Sequence, residues 1–281
     1  MVPGRAAPLA PTLVAHLFPP LGRELVALLR SLDAAAWQRP TVCPAWSVHD
    51  VAAHLLDTAC RRLSFGRDGH TPPAGRIDDY GELLRLLDRL NAEWVAAARR
   101  LSPRLLTDLL EWVEPQLAER LARLDPWADG VPVAWAGETR SPSWFDVARE
   151  LTERWHHQQQ IRLAVGAPPL ADPETSEAVF DTFLRGLPHR YRDVAAPEGT
   201  AIAIAIHGAR TYAYTLRRAA GSWQLLKGAE PGPAAAVALD EEPAWLLLTK
   251  GMPEPEARAR AEIAGDPGLA APLFGLIAVM A

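Results

Sequence analysis

Glu153 and His157 stand four residues apart in Leu151-Thr152-Glu153-Arg154-Trp155-His156-His157-Gln158-Gln159-Gln160. On a helix that spacing stacks the two side chains one turn apart on a common face, where a carboxylate and an imidazole can grip one ion. A catalytic zinc site of two His and one Glu needs one more imidazole and keeps a coordination position open. The best candidate is His54, in Cys43-Pro44-Ala45-Trp46-Ser47-Val48-His49-Asp50-Val51-Ala52-Ala53-His54. His156 competes with His157, since it also lies within reach of Glu153. Its direction differs by about 100° from that of His157, so both cannot face one ion with Glu153 on an unstrained helix. The run Gln158-Gln159-Gln160 offers either hydrogen bonds that orient ligands or ordinary solvated helix surface.

These residues need helices to carry them. Pro40 to Trp46 reads as a stiff connector ending at Ser47, a good N-cap with Asp50 three residues on, and the helix it starts continues to about Leu63. Ser141-Pro142-Ser143 starts the helix of Glu153 and His157, and Gly166 followed by Pro168-Pro169 stops it. On the first helix the stripe Val48, Val51, Ala52, Leu55, Leu56 and Ala59 centres roughly 130° from His54. On the second, Trp144, Ala148, Leu151 and Trp155 lie nearly opposite Glu153 and His157. Two readings follow. Either the three polar residues are solvated, or their faces line a cleft inside a helix bundle.

The bundle has further helices. Leu21, Leu25, Leu28, Leu29 and Leu32 recur at helical spacing between about Thr12 and Leu32, with a break or restart at Pro19-Pro20. Tyr80 to Leu101 has an inner stripe of Leu83, Leu86, Leu87, Leu90, Trp94 and Val95. Pro103 to Leu124 has one of Leu105, Leu109, Trp112, Val113, Leu117 and Leu121. Phe65 to Asp79 reads as an exposed loop, and Asp125 to Ser141 as a long connection whose Trp127 and Trp135 suit the roof of a cavity.

After about Pro173 the texture changes. A helix to about Leu187 precedes a hairpin over Ala201 to Arg217, turning near Gly208, with Ile202, Ile204 and Ile206 on one face and Tyr212, Tyr214 and Leu216 sharing another. Trp223 and Leu225 follow, Ala235 to Leu239 adds a strand, and Glu241 to Lys250 and Gly268 to Met280 read as helices. The fold class is therefore α+β, a four-helix bundle over residues 1–170 followed by a small α+β domain over 171–281.

Composition excludes several function classes. A net charge of -5 with dispersed arginines does not suit phosphate contacts, so no nucleic-acid partner is expected. No uncharged stretch approaches the ~20 residues that span a bilayer. Two cysteines, Cys43 and Cys60, imply no disulfide framework and fit a reducing, cytoplasmic setting. No glycine-rich phosphate loop and no Gly-x-Ser-x-Gly elbow is present. Cys43 reads as a small buried hydrophobe sooner than a nucleophile.

The stretch from Trp37 through Pro40, Thr41, Cys43, Pro44, Trp46, Ser47, Val48, Asp50 and Val51 to His54, paired with Glu153 and His157 on a later helix ending Ala164-Val165-Gly166, resembles the mycothiol-dependent maleylpyruvate isomerase family. That family belongs to the DinB-like metal-binding four-helix bundles. The resemblance covers roughly residues 11 to 166, and Ala261 to Ala270 resembles the sterol-carrier-protein-like domain often appended. It implies that His54, Glu153 and His157 hold a divalent metal, usually zinc, with open positions. There are departures. Many relatives follow the ligand His with Arg, an apolar residue and Asp, where this chain has Gln158, Gln159 and Gln160. The family's catalytic arginine in the C-terminal domain has no aligned counterpart, Arg210 and Arg217 being unaligned candidates.

The expectation is a metal-dependent enzyme with a small-molecule substrate. It would use a low-molecular-weight thiol, mycothiol or an analogue, to isomerise an electrophile or form a conjugate with it. A hydrolase or lyase working through metal-bound water fits the same triad, and so does a non-catalytic binding protein whose C-terminal domain takes an apolar ligand.

Overall fold

The computed structural model describes residues 6–70 and 80–279, so most of the loop expected up to Asp79 lies outside the described residues. They fall into two compact units. A helical unit comprises Val14–Asp125 and Glu153–Leu170; a sheet unit comprises residues 6–13, Pro126–Thr152 and Ala171–Val279. The N-terminal segment supplies an edge strand to the sheet, and Pro126–Thr152, grouped with the sheet unit, carries its own apolar cluster of Val133, Trp144 and Phe145.

In the helical unit α1 spans Phe18–Ser31, with Pro19 and Pro20 in its first turn, where their missing N–H groups cost nothing. Ser47 caps α2 (Val48–Gly66) in a reciprocal box: its hydroxyl accepts the Asp50 N–H while Asp50 accepts the Ser47 N–H. Next come α3 (Tyr80–Ala98) and α4 (Pro103–Ala122), the latter capped by Ser102. The second half of α5 (Ser143–Val165) completes the unit, and Gly166 ends that helix at φ 70°, a left-handed conformation that glycine adopts freely.

The burial pattern of α4 departs from expectation. Leu106, Leu110, Val113, Leu117 and Leu121 face the core, whereas Leu105 and Trp112 are 46% and 64% exposed. The expected stripe was rotated by one residue at its start, which is enough to turn Leu105 and Trp112 outward. Each Leu or Val fully buried on these helices contributes roughly 1.5–3 kcal/mol relative to exposure.

The sheet unit is built on six strands: β1 (Ala7–Pro8), β4 (Ala201–His207), β5 (Thr211–Ala219), β6 (Ser222–Lys227), β7 (Ala235–Asp240) and β8 (Glu262–Gly265), in the order β1-β6-β5-β4-β7-β8. Only β4 and β7 run parallel. A separate pair, β2 (Asp129–Gly130) and β3 (Ser141–Pro142), closes the loop before α5. The hairpin turns at Gly208 as expected, pairing Ile202, Ile204 and Ile206 with Leu216, Tyr214 and Tyr212, all six buried. Helices α6 (Pro173–Phe183) and α7 (Leu187–Arg190) precede β4, and α8 (Glu241–Leu248) follows β7 directly. Phe180 of α6 stacks 6.0 Å from Tyr212, and Asp181 accepts the Tyr214 hydroxyl at 2.7 Å.

Beyond α8 the chain adds α9 (Glu254–Ala259), β8 and α10 (Pro267–Ala270), then a tight turn over Ala271–Gly275. The helix expected from Gly268 to Met280 is therefore replaced by short pieces. Pro272 cannot donate to a helix, so Pro267–Ala270 and Ala271–Gly275 do not join into one long helix.

Candidate metal centre

Helix α2 presents His54, and α5 presents Glu153 and His157 one turn apart. His54 Nε2 lies 2.8 Å from Glu153 Oε1, and His157 Nε2 lies 3.1 Å from the same oxygen. One ligand atom from each residue falls within 4.8 Å of the others. The solvated reading of these residues is overturned. The side chains of His54 and His157 are 5% and 8% exposed, whereas that of Glu153 keeps 29%, so the site is enclosed by imidazoles and reachable beside the carboxylate. The reason lies in the packing. Helix α2 buries His49, Asp50, His54 and Asp57 as well as its apolar stripe, and α5 is buried around its circumference, so neither has a solvated face there.

The connector before α2 forms the wall of the site. Trp46 N–H donates to Cys43 O at 2.9 Å and Thr41 N–H to Trp46 O at 3.1 Å, a tight turn that fixes both Trp46 and Cys43. The Trp46 ring sits 4.8 Å from that of His54 and 6.1 Å from that of His157. Cys43 Sγ donates to Gln160 Oε1 at 3.5 Å, and the same oxygen lies 2.8 Å from His157 Nδ1.

All three glutamines are buried, which corrects the solvated-surface reading. Gln159 anchors the chain after Gly166 through two bonds with Leu170, its Nε2 donating to the carbonyl at 3.1 Å and its Oε1 accepting the N–H at 2.9 Å. Trp46 and Cys43 were not assigned to the site from sequence. Their signal was the turn chemistry immediately before the His54 helix.

Burial alone would raise the Glu153 carboxyl pKa. The charge and hydrogen bond of His157, the hydrogen bond of His54 and the charge of His156 outweigh it and hold the group well below the usual carboxylate range. Burial pushes His54 down, against its hydrogen bond to Glu153, and pushes the half-buried Cys43 thiol up. Metal binding calls for the anionic form of a carboxylate, and that is the form these neighbours favour at Glu153.

Other sequence candidates fall elsewhere. His156 is buried with its ring 4.1 Å from that of His157, but it is not part of the ligand cluster. Arg210 pairs with Glu177, and Arg217 with Glu230 at 2.8 Å, so each candidate arginine is held by a carboxylate within the sheet unit. Trp127 is 63% exposed and Trp135 packs against the Val133 cluster, which does not support a cavity roof for Trp127.

The residues fit a metal. One atom each of His54, Glu153 and His157 already lies within 4.8 Å of the others, and the two Nε2 atoms share one carboxylate oxygen, Glu153 Oε1. The donor set of two imidazoles and one carboxylate is that of an open zinc site.

Fold and site together define a helix-bundle protein with a His-Glu-His cluster, followed by a mixed-sheet α+β unit. A sequence profile of the mycothiol maleylpyruvate isomerase N-terminal domain matches residues 18–162, and the chain belongs to that family. Two solved structures share the fold. A histidine-to-alanine mutant of the mycothiol-dependent maleylpyruvate isomerase is 12% identical, with 89% of this chain and 91% of that one covered at a TM-score of 0.53. A second structure of the mycothiol-dependent maleylpyruvate isomerase is 13% identical, with 83% and 86% covered at 0.50. No curated protein matches the chain. No described helix is long and apolar enough to cross a membrane.

Proposed function

We propose that this chain is a metal- and thiol-dependent enzyme that isomerises a small electrophile or transfers a low-molecular-weight thiol, mycothiol or an analogue, onto it. The observation that carries the reading is the convergence of His54, Glu153 and His157 within 4.8 Å. These residues would hold a divalent cation, zinc by donor type. Bound there, the cation would lower the pKa of a thiol at its open position, making it a nucleophile near neutral pH.

The chain's own residues supply the rest. Glu153 offsets part of the ionic charge, and its exposed flank leaves an approach for cofactor and substrate. Trp46 covers both imidazoles and excludes water from that side. Membership of a family named for mycothiol and maleylpyruvate isomerisation supports a thiol over water as the group delivered. The two free cysteines suit a reducing cytoplasm.

The test is metal content of the full chain purified without added metal, followed by turnover of electrophiles with and without thiol. About one equivalent of metal and strictly thiol-dependent turnover is the expected result. Turnover without thiol would replace this reading by a metal-dependent hydrolase or lyase, and a chain that takes up no metal would remove it.

A further inference from the structure

We infer that Gln160 is the positioning residue of the candidate metal centre: its side-chain oxygen holds the proton of His157 on Nδ1 and so commits Nε2 to the metal. The inference rests on the metal-binding reading proposed above and goes beyond the three ligands.

The geometry is specific. Gln160 follows His157 by three residues on α5, so the two side chains lie over the same face. Gln160 is 2% exposed, and its Oε1 lies 2.8 Å from His157 Nδ1. A second donor braces that oxygen from another element, because Cys43 Sγ reaches it at 3.5 Å from the turn before α2. With both contacts made to the amide oxygen, the inference places the ring proton on Nδ1. The other imidazole lacks this support. His54 Nδ1 is buried with no hydrogen-bond partner among the described residues, so no acceptor braces that ring from its far side.

Metal-binding imidazoles are held in orientation by an acceptor on the distal nitrogen, and loss of that acceptor lowers metal affinity 10–100-fold. A carboxamide serves this role without adding charge. The centre therefore keeps one anionic group, Glu153, beside the two imidazoles instead of acquiring a second carboxylate through the relay. With a cation bound by His54, Glu153 and His157, that arrangement would leave more of its charge for a thiol to neutralise.

The experiment is zinc titration of the full chain against a chelating competitor for wild type, Gln160→Met and Gln160→Glu. It is paired with nitrogen-15 correlation spectra of the zinc-loaded wild type, which report which ring nitrogen of His157 carries the proton. The expected result is a proton on Nδ1, a loss of about 10–100-fold in affinity for Gln160→Met, and affinity at or above wild type for Gln160→Glu, which restores the acceptor. Equal affinity for wild type and Gln160→Met, or a His157 Nδ1 without a proton, would overturn the inference and leave the metal site standing. Should Gln160→Met not fold, Gln160→Asn, which keeps the amide but shortens its reach, is titrated in its place, and affinity equal to wild type would again overturn the inference. A wild-type chain that binds no zinc would instead overturn the metal-binding reading itself.

Discussion

Replacing Glu114 with alanine should destabilise the helical unit by about 3 kcal/mol. Arg154 Nη1 donates to Glu114 Oε1 at 2.5 Å, with the two side chains 3% and 7% exposed, so the pair is shielded from solvent. Removing one partner of such a pair leaves a buried charge, at a cost of about 3–5 kcal/mol. The lower end applies here, because Arg154 Nη2 keeps two acceptors at 3.2 Å, Leu55 O and Thr58 Oγ1. At roughly 2–4 °C per kcal/mol for a unit of this size, the midpoint should fall by about 6–12 °C. The assay is urea and thermal unfolding followed by circular dichroism on Glu114→Ala, Arg154→Met and the double variant Glu114→Leu/Arg154→Met. The double variant should recover most of the loss, since an apolar pair of similar volume has no charge to desolvate. A single-variant cost below about 1 kcal/mol, or a double variant as unstable as the sum of the singles, would refute the reasoning.

Three further outcomes are expected. His54→Ala and His157→Ala should each lose tight metal binding, read as metal per chain after dialysis, while His156→Ala should keep it because that ring lies outside the ligand cluster. Asp50→Asn should cost about 1 kcal/mol near neutral pH by weakening the α2 cap. Burial raises the Asp50 carboxyl, but bonds from Arg99 and Ser47 win and leave its pKa lowered. A lowered carboxylate adds stability above the unfolded value, near 3.9, and loses it as pH falls through the folded one. The gap between wild type and variant should therefore close in acid-unfolding curves below about pH 4. Gly166→Ala should cost about 1 kcal/mol from the positive φ alone, since no atom lies within 4 Å of the added methyl group. A cost near zero in urea melts would show that the helix end relaxes.

What the sequence made legible is local. Ser47 with Asp50, Ser102 before Pro103 and Gly166 after Val165 mark their helix ends by residue chemistry alone, and the Ile202 to Leu216 alternation marks the hairpin. Glu153 and His157 were readable from one helical turn. His54 was harder, because a helical wheel assumes one buried face and one wet face, and α2 has almost no wet face over that stretch. The glutamines misled for the same reason. An amide looks like surface until partners such as Leu170 and His157 are known, and those contacts are tertiary. Strand β8 carried no alternation to read, since all four of its residues are exposed, and β1 is a two-residue edge. The outward turn of Trp112 shows the converse error, an aromatic assigned to a core that α4 fills with its neighbours.

Helix α5 belongs to both units, contributing Ser143–Thr152 to one and the residues from Glu153 onward to the other. A helix has no internal seam, and the junction falls immediately before the first member of the His-Glu-His cluster. Gene shuffling that cut there would leave the helical fragment with an uncapped end at Glu153, the carboxylate the cluster depends on. An insertion or deletion of one residue between Glu153 and His157 would turn one of them by about 100° relative to the other. The register of this one helix thus decides whether carboxylate and imidazole share a face at all.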